Sequence, residues 1–133
     1  MSALYCIGEV WLRLSPADAA AALAQAGAFR AQIGGSVAPL CAAVARRGGH
    51  AALLTQLGDD PFGRRIQAEL DAAGIDTRHI RFTSEAPTPV CFTDQADTLP
   101  YPGAGQNFPP EALDTGFLAD AAALHFTTGG LLD

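Results

Sequence analysis

The chain has 133 residues, 49% of them hydrophobic and 17% charged, with a formal net charge of −6. That length holds one domain with a core but not two, and the composition is that of a folded chain. The negative balance argues against a nucleic-acid partner or an anionic membrane surface. All eight basic residues are Arg, which removes a phosphate-binding or Schiff-base lysine.

Leu4–Ile7 reads as a buried first strand ending at Gly8-Glu9. Val10–Leu14 alternates, placing Trp11 and Arg13 on one face of a second strand. Ser15, Pro16 and Gly27 predict a helix over the alanine-rich stretch between them, with Ser15 as N-cap and Gly27 at its end. Ala28–Ile33 predicts a strand running into Gly34-Gly35. Ser36 is expected to cap the next helix, with Pro39 in its first turn, where amides lack intrahelical partners. Leu40, Val44 and the alanines around them give that helix a narrow face, and Gly48-Gly49 ends it.

Ala51–Leu57 predicts a strand. Asp60-Pro61 opens a helix through Ala73, with Phe62, Ile66, Leu70 and Ala73 on one face and Gly74 closing it. Arg78–Phe82 and Thr88–Thr93 are short strand-like runs, and Leu99–Tyr101 reads as an edge strand. Pro109-Pro110 predicts a helix through about Leu118, followed by a strand over Ala122–Phe126. Thr127-Thr128-Gly129-Gly130 then reads as the loop before another helix. Strands alternating with helices indicate an α/β fold with a mostly parallel sheet flanked by helices. The extra short strands fit a small β layer standing off it.

The three cysteines, Cys6, Cys41 and Cys91, lie in separate apolar runs and form no C-x-x-C pair. They are expected to be reduced and buried, in a cytoplasmic protein. No basic region precedes an apolar stretch at the N-terminus, so no signal peptide is expected. No apolar run approaches the ~20 residues that cross a bilayer.

CIGEV near the start, FRAQIGGSVA before the first long helix and ARRGGHAALLTQLGDDPFGRRIQAELDAAGID together resemble the N-terminal half of a ribokinase/PfkB-type carbohydrate kinase. TPVCF and EALDTGFLADAAALHF follow in the same order. The resemblance spans essentially the whole chain. It implies a partial ribokinase-like fold over residues 1–133, with a small β lid built from about 10–33 and 88–103. It implies phosphoryl transfer from ATP, with Mg, to the hydroxyl of a sugar or related small molecule. The lid is expected to serve also as a homodimer contact. The nucleotide-binding half, with its anion hole and catalytic Asp, is expected to be absent, so neither an ATP site nor catalysis by this chain alone is expected. A non-catalytic binding or pairing module, or a decayed gene product, remains the alternative.

The resemblance places sugar contacts at Gly34, Gly35 and Ser36. A Gly-Gly before a helix also brings bare backbone close to a ligand or a neighbour. Two positions depart from the family pattern. Arg13 stands where an Asp holds sugar hydroxyls, and Pro39 stands where an Asn does. Arg13 is read as decay or a solvent-facing residue, or as a grip for a sugar acid. Glu9 sits where ligands gather in open α/β sheets. Asp59-Asp60 is read as turn and cap chemistry rather than a metal or acid–base pair. His50, His79 and His125 lack ligand spacing, so no metal site is expected.

Overall fold

Ala51–Gly58 is buried at every one of its eight positions. A strand buried on both faces belongs in the middle of a parallel sheet, and the computed structural model places it there. The structure describes residues 3–107 and 115–127. Among these are ten longer elements: β1 Ala3–Ile7, β2 Trp11–Pro16, β3 Phe29–Gly34, α1 Val37–Arg46, β4 Ala51–Gly58, α2 Pro61–Ala72, β5 Ile80–Thr83, β6 Val90–Thr93, β7 Thr98–Tyr101 and β8 Ala121–Phe126. They make two four-stranded sheets, ordered β5-β4-β1-β8 and β3-β2-β6-β7.

The first sheet is parallel throughout. One face carries Cys6, Ala51, Leu53 and Leu57 against Val37, Ala38 and Cys41 of α1 and Ile66 and Leu70 of α2. The other face gathers Ala3, Tyr5, Ala52 and Leu54. Strand order reverses at β1, which has β4 on one side and β8 on the other. Such a switch point opens a crevice at the carboxyl ends of the strands.

The second sheet is the lid. β2 pairs antiparallel with β3 and parallel with β6, and β6 pairs antiparallel with β7. Leu12 sends the lid's inner face into the main core, with Leu14, Ala31, Ile33 and Val90 partly buried against it. β7 is exposed at every position and forms the expected edge.

Gly74 takes φ +81° and ends α2 as expected. Asp60 Oδ1 accepts from the Gly63 amide at 2.8 Å, with Pro61 in the first turn, the N-terminal chemistry the sequence predicts.

Several expectations need correction. The helix between Ser15 and Gly27 does not form. Ser15 and Pro16 belong to β2, paired with Arg30 and Phe29, and the Ala17 amide donates to Ala28 O to close the hairpin. The intervening residues make turns and one 3-10 turn at Leu23–Gln25. Leu23 is the only large apolar side chain there, so a helix would have no face to bury, and pairing overrides alanine's propensity. Ser36 precedes α1 but is itself in the helical region and caps nothing with its side chain. α1 buries Val37, Ala38 and Cys41, with Leu40 and Val44 only partly covered. In α2, Ile66 and Leu70 are buried as expected, but Phe62 and Ala73 are exposed. Of the helix expected from Pro109, residues 109–114 lie outside those described, and Thr115–Asp120 form a 3-10 turn. The loop expected at 127–130 lies outside them beyond Thr127.

Candidate functional site

The crevice at the end of β1 is built from glycines that let three segments meet. Gly8 follows β1, and a Cβ there would stand 2.7 Å from Val37 Cγ1 and 2.9 Å from Thr127 Oγ1. The start of α1 and the end of β8 therefore close on it. Gly35 has φ +107°, and a Cβ there would lie 2.5 Å from the carbonyl oxygen of Glu9. Both its conformation and its space demand glycine. Gly34 is buried under the Trp11 indole, which occupies the place where a Cβ would project.

A cavity of about 290 Å³ is lined by Glu9, Trp11, Cys91, Pro100, Tyr101 and Gly105 among others. It falls at the small end of the ~300–1,000 Å³ range of small-molecule sites. The 3-10 turn Ala104–Asn107 closes one side. Gln56 Nε2 of β4 donates to Ala104 O at 2.8 Å, and the Ala104 amide donates to Pro87 O at 2.8 Å.

The lid's base is tied to α2 by a single carboxylate. Asp60 Oδ2 accepts from the Thr88 amide and Oδ1 from the Thr88 hydroxyl, both at 2.8 Å. The same hydroxyl accepts from the Gly58 amide at 3.0 Å. Burial pushes the Asp60 carboxyl upward, but the amides of Thr88, Gly63 and Phe62 and the Thr88 hydroxyl outweigh it and hold the group below its usual 3.8. Asp60 is a cap and a lid anchor, as a structural reading of the pair requires. Asp59 bonds Arg64 at 2.8 Å on the surface.

The sequence-singled residues fall in three places. Glu9 lines the cavity, and Gly34 and Gly35 pack against its walls through Trp11 and the Glu9 backbone. Ser36 is exposed at the start of α1. Arg13 lies on the lid strand two residues beyond Trp11, and its Nη2 donates to Gln32 Oε1 at 2.8 Å. Pro39 is not brought to this cavity. It lines a separate hollow against α2 with Ile33, Ala38, Ala42 and Glu69. The site residue that sequence reasoning missed is Trp11. Its signal was available: the chain's only Trp, one strand position from an expected ligand crevice.

The cysteines are free and buried. A hydrogen bond with Cys6, then burial, pushes the Cys41 thiol far above its ordinary range, so it stays protonated and inert. Among the described residues no three His, Cys, Asp or Glu side chains group to hold a metal ion, and the α2 N-terminus is filled by its own Asp60. No helix among the described residues is long and apolar enough to cross a membrane.

A family model described as pfkB family carbohydrate kinase matches residues 1–132. The chain belongs to the pfkB family. It is 30% identical over 138 residues to a 2-dehydro-3-deoxygluconokinase of Thermoproteus tenax, covering 96% of this chain and 42% of that protein. It is 33% identical over 132 residues to fructokinase-1 of Zea mays, covering 94% and 41%. Among solved structures, a fructokinase with bound ATP from Xylella fastidiosa matches with TM-score 0.87 and 28% identity, over 98% of this chain and 40% of that one. An uncharacterized sugar kinase from Pyrococcus horikoshii matches with TM-score 0.89 and 25% identity, over 98% and 44%. This pfkB-family chain thus spans about two fifths of the length of these relatives, and its fold is the ribokinase-like fold of sugar kinases.

Proposed function

We propose that this chain supplies the sugar-side wall of an ATP-dependent carbohydrate kinase. The observation that carries the reading is the cavity that Glu9, just beyond β1, shares with Trp11, Cys91, Pro100 and Tyr101 of the lid. Relatives named as fructokinase and 2-dehydro-3-deoxygluconokinase give the substrate class, a small polyhydroxylated carbon chain. Glu9 accepts hydroxyls at the cavity floor. Gly34 and Gly35 let the floor close, Ser36 offers a hydroxyl beside it, and Arg13 stands on β2, an inner strand of the lid. Pro39 brings no polar side-chain group to the sugar.

Phosphoryl transfer needs a group that takes the hydroxyl proton and charges that neutralise the phosphates. Most acids among the described residues are already engaged. Asp59 pairs with Arg64, Glu69 with Arg65 and Asp76 with Arg78, while Asp60 caps α2. The chain by itself is therefore proposed to bind sugar without turning over ATP. Thermal denaturation with and without D-fructose, D-ribose or D-gluconate, together with an ADP-release assay, tests this. A saturable rise in Tm with no ADP formed is the expected result. Absence of any sugar-dependent rise contradicts the binding role, and sugar-dependent ADP release contradicts the non-catalytic one.

A second role, pairing through the lid, is favoured by one specific feature. Phe29, Phe92 and Tyr101 stack edge-to-face with centroids 5.6 and 5.7 Å apart. Phe29, Leu99 and Tyr101 are 43%, 46% and 58% exposed. Apolar surface beside an exposed strand edge invites a second copy. Light scattering should report a dimer that Phe29→Ser with Tyr101→Ser dissociates, and a monomeric parent chain would refute it. The buried, unbridged cysteines fit a reducing compartment, the cytoplasm.

A further inference from the structure

Gln56 is a polar side chain buried in a strand that is otherwise mostly apolar, and it is 4% exposed. Alternation along β4 sends Leu53 and Leu57 toward α1 and α2, and Ala52 and Leu54 to the opposite face. Gln56 shares that opposite face. The last pair between β1 and β4 is Ile7 with Leu54. Gln56 lies two residues beyond that pair on β4, and Glu9 lies two residues beyond it on the chain leaving β1. The two residues thus stand at one level, at the carboxyl end of the sheet.

At that level Gln56 holds the chain as it returns from the lid. Its Nε2 donates to Ala104 O at 2.8 Å in a buried hydrogen bond. Ala104 is itself buried, and its amide donates to Pro87 O at 2.8 Å. Gly103 lies so close to Pro87 that a Cβ would stand 2.1 Å from the same carbonyl oxygen. Gly105, on the other side of Ala104, lines the cavity. A Cβ on Gly105 would meet Glu9 Cγ at 3.6 Å and Pro89 Cγ at 4.0 Å. Gly105 therefore backs the Glu9 side chain. A buried hydrogen bond contributes modestly when made and is costly to leave unmade. Packing alone would be served by an apolar side chain of similar volume; what the amide adds is the tie from β4 to the turn.

We propose that Gln56 is a positioning residue of this cavity. By fixing Ala104 it sets the turn Ala104–Asn107, and through Gly105 it fixes where the Glu9 side chain meets a ligand hydroxyl. Among the described residues Gln56 does not itself line the cavity, so it acts through the turn and not by touching the ligand. This rests on the reading of the cavity as the sugar site.

Gln56→Met keeps the length of the side chain and removes the donor, and two readouts on the intact chain separate positioning from stability. Amide hydrogen exchange without ligand should show Ala104 exchanging about tenfold faster in Gln56→Met than in the parent, measured relative to Leu53 and Leu57. Emission of Trp11, the only Trp, is then followed during titration with D-fructose, D-ribose and D-gluconate, well below both denaturation midpoints. The half-saturation concentration should rise about tenfold in the variant for each compound that the parent binds. A role in stability alone would lower the midpoint and leave that concentration unmoved. Ala104 exchange that merely follows Leu53 and Leu57, or equal half-saturation in parent and variant, overturns the proposal and leaves the sugar site standing. No response of the parent to any of the three compounds overturns both. If Gln56→Met does not fold, the parent alone decides. A saturating compound should slow Ala104 exchange further, and exchange unchanged on binding overturns the proposal.

Discussion

The two sheets are equal in strand number and opposite in character. In the parallel sheet β4 is buried along its whole length, whereas in the lid β7 is exposed along its whole length. The middle of the first sheet, β4 with most of β1, is held by burial on both faces, while β8 at its edge is largely exposed. The lid is buried through Leu12, Pro16 and Cys91 and their partly covered neighbours, and leaves β7 open. A strand that must pack tolerates little change, whereas an exposed one is free to vary.

Substitutions should separate the sheets by magnitude. Leu53→Ala, at a fully buried β4 position, should cost about 2–5 kcal/mol in a denaturant titration. Leu99→Ala on β7 should cost within about 0.5 kcal/mol. Equal costs would break the distinction. Gly35→Ala lies between the sheets, where positive φ and the Glu9 carbonyl both oppose a side chain. It should destabilise by about 1–3 kcal/mol and weaken any sugar response along with stability.

Asp60→Ala should cost about 1–2 kcal/mol through the lost cap, and it carries a pH signature. The folded carboxyl lies below its unfolded value. Its stabilisation is therefore complete above that unfolded value, near 3.8, and fades as pH falls through the lower folded value. The difference between parent and variant, measured by denaturation from pH 6 downward, should shrink in acid. A gap that widens in acid would mean that Asp60 is not the anchor of the lid base. The smallest effect is expected at Arg13→Gln, within about 0.5 kcal/mol of the parent, because the side chain is exposed and its hydrogen bond to Gln32 lies at the surface.

The sequence made the parallel sheet plain, since a short, mostly apolar run between a Gly-Gly and a Gly-Asp-Asp-Pro turn has few other solutions. It misled between Ser15 and Gly27, where local helix rules lost to the β2–β3 hairpin, an interaction between residues far apart in sequence. The floor of the site was legible as glycines but not their purpose. Gly34 and Gly35 answer to Trp11 and to the Glu9 carbonyl, contacts that depend on how β1, β2 and β3 meet. Pro39 lines a hollow between α1 and α2, a placement that depends on helix packing and not on local sequence. Asp60 read correctly because capping is local, but its second bond, to Thr88, is not.

Backbone amide chemical-shift mapping of the isotopically labelled chain, titrated with the best-binding sugar, tests the central claim most directly. The cavity reading predicts saturable shifts at Gly8, Glu9, Gly35, Cys91 and Gly105, with the amides of α2 beyond its first turn unmoved. Shifts confined to the α1–α2 hollow around Pro39, or none at any sugar concentration, would contradict it.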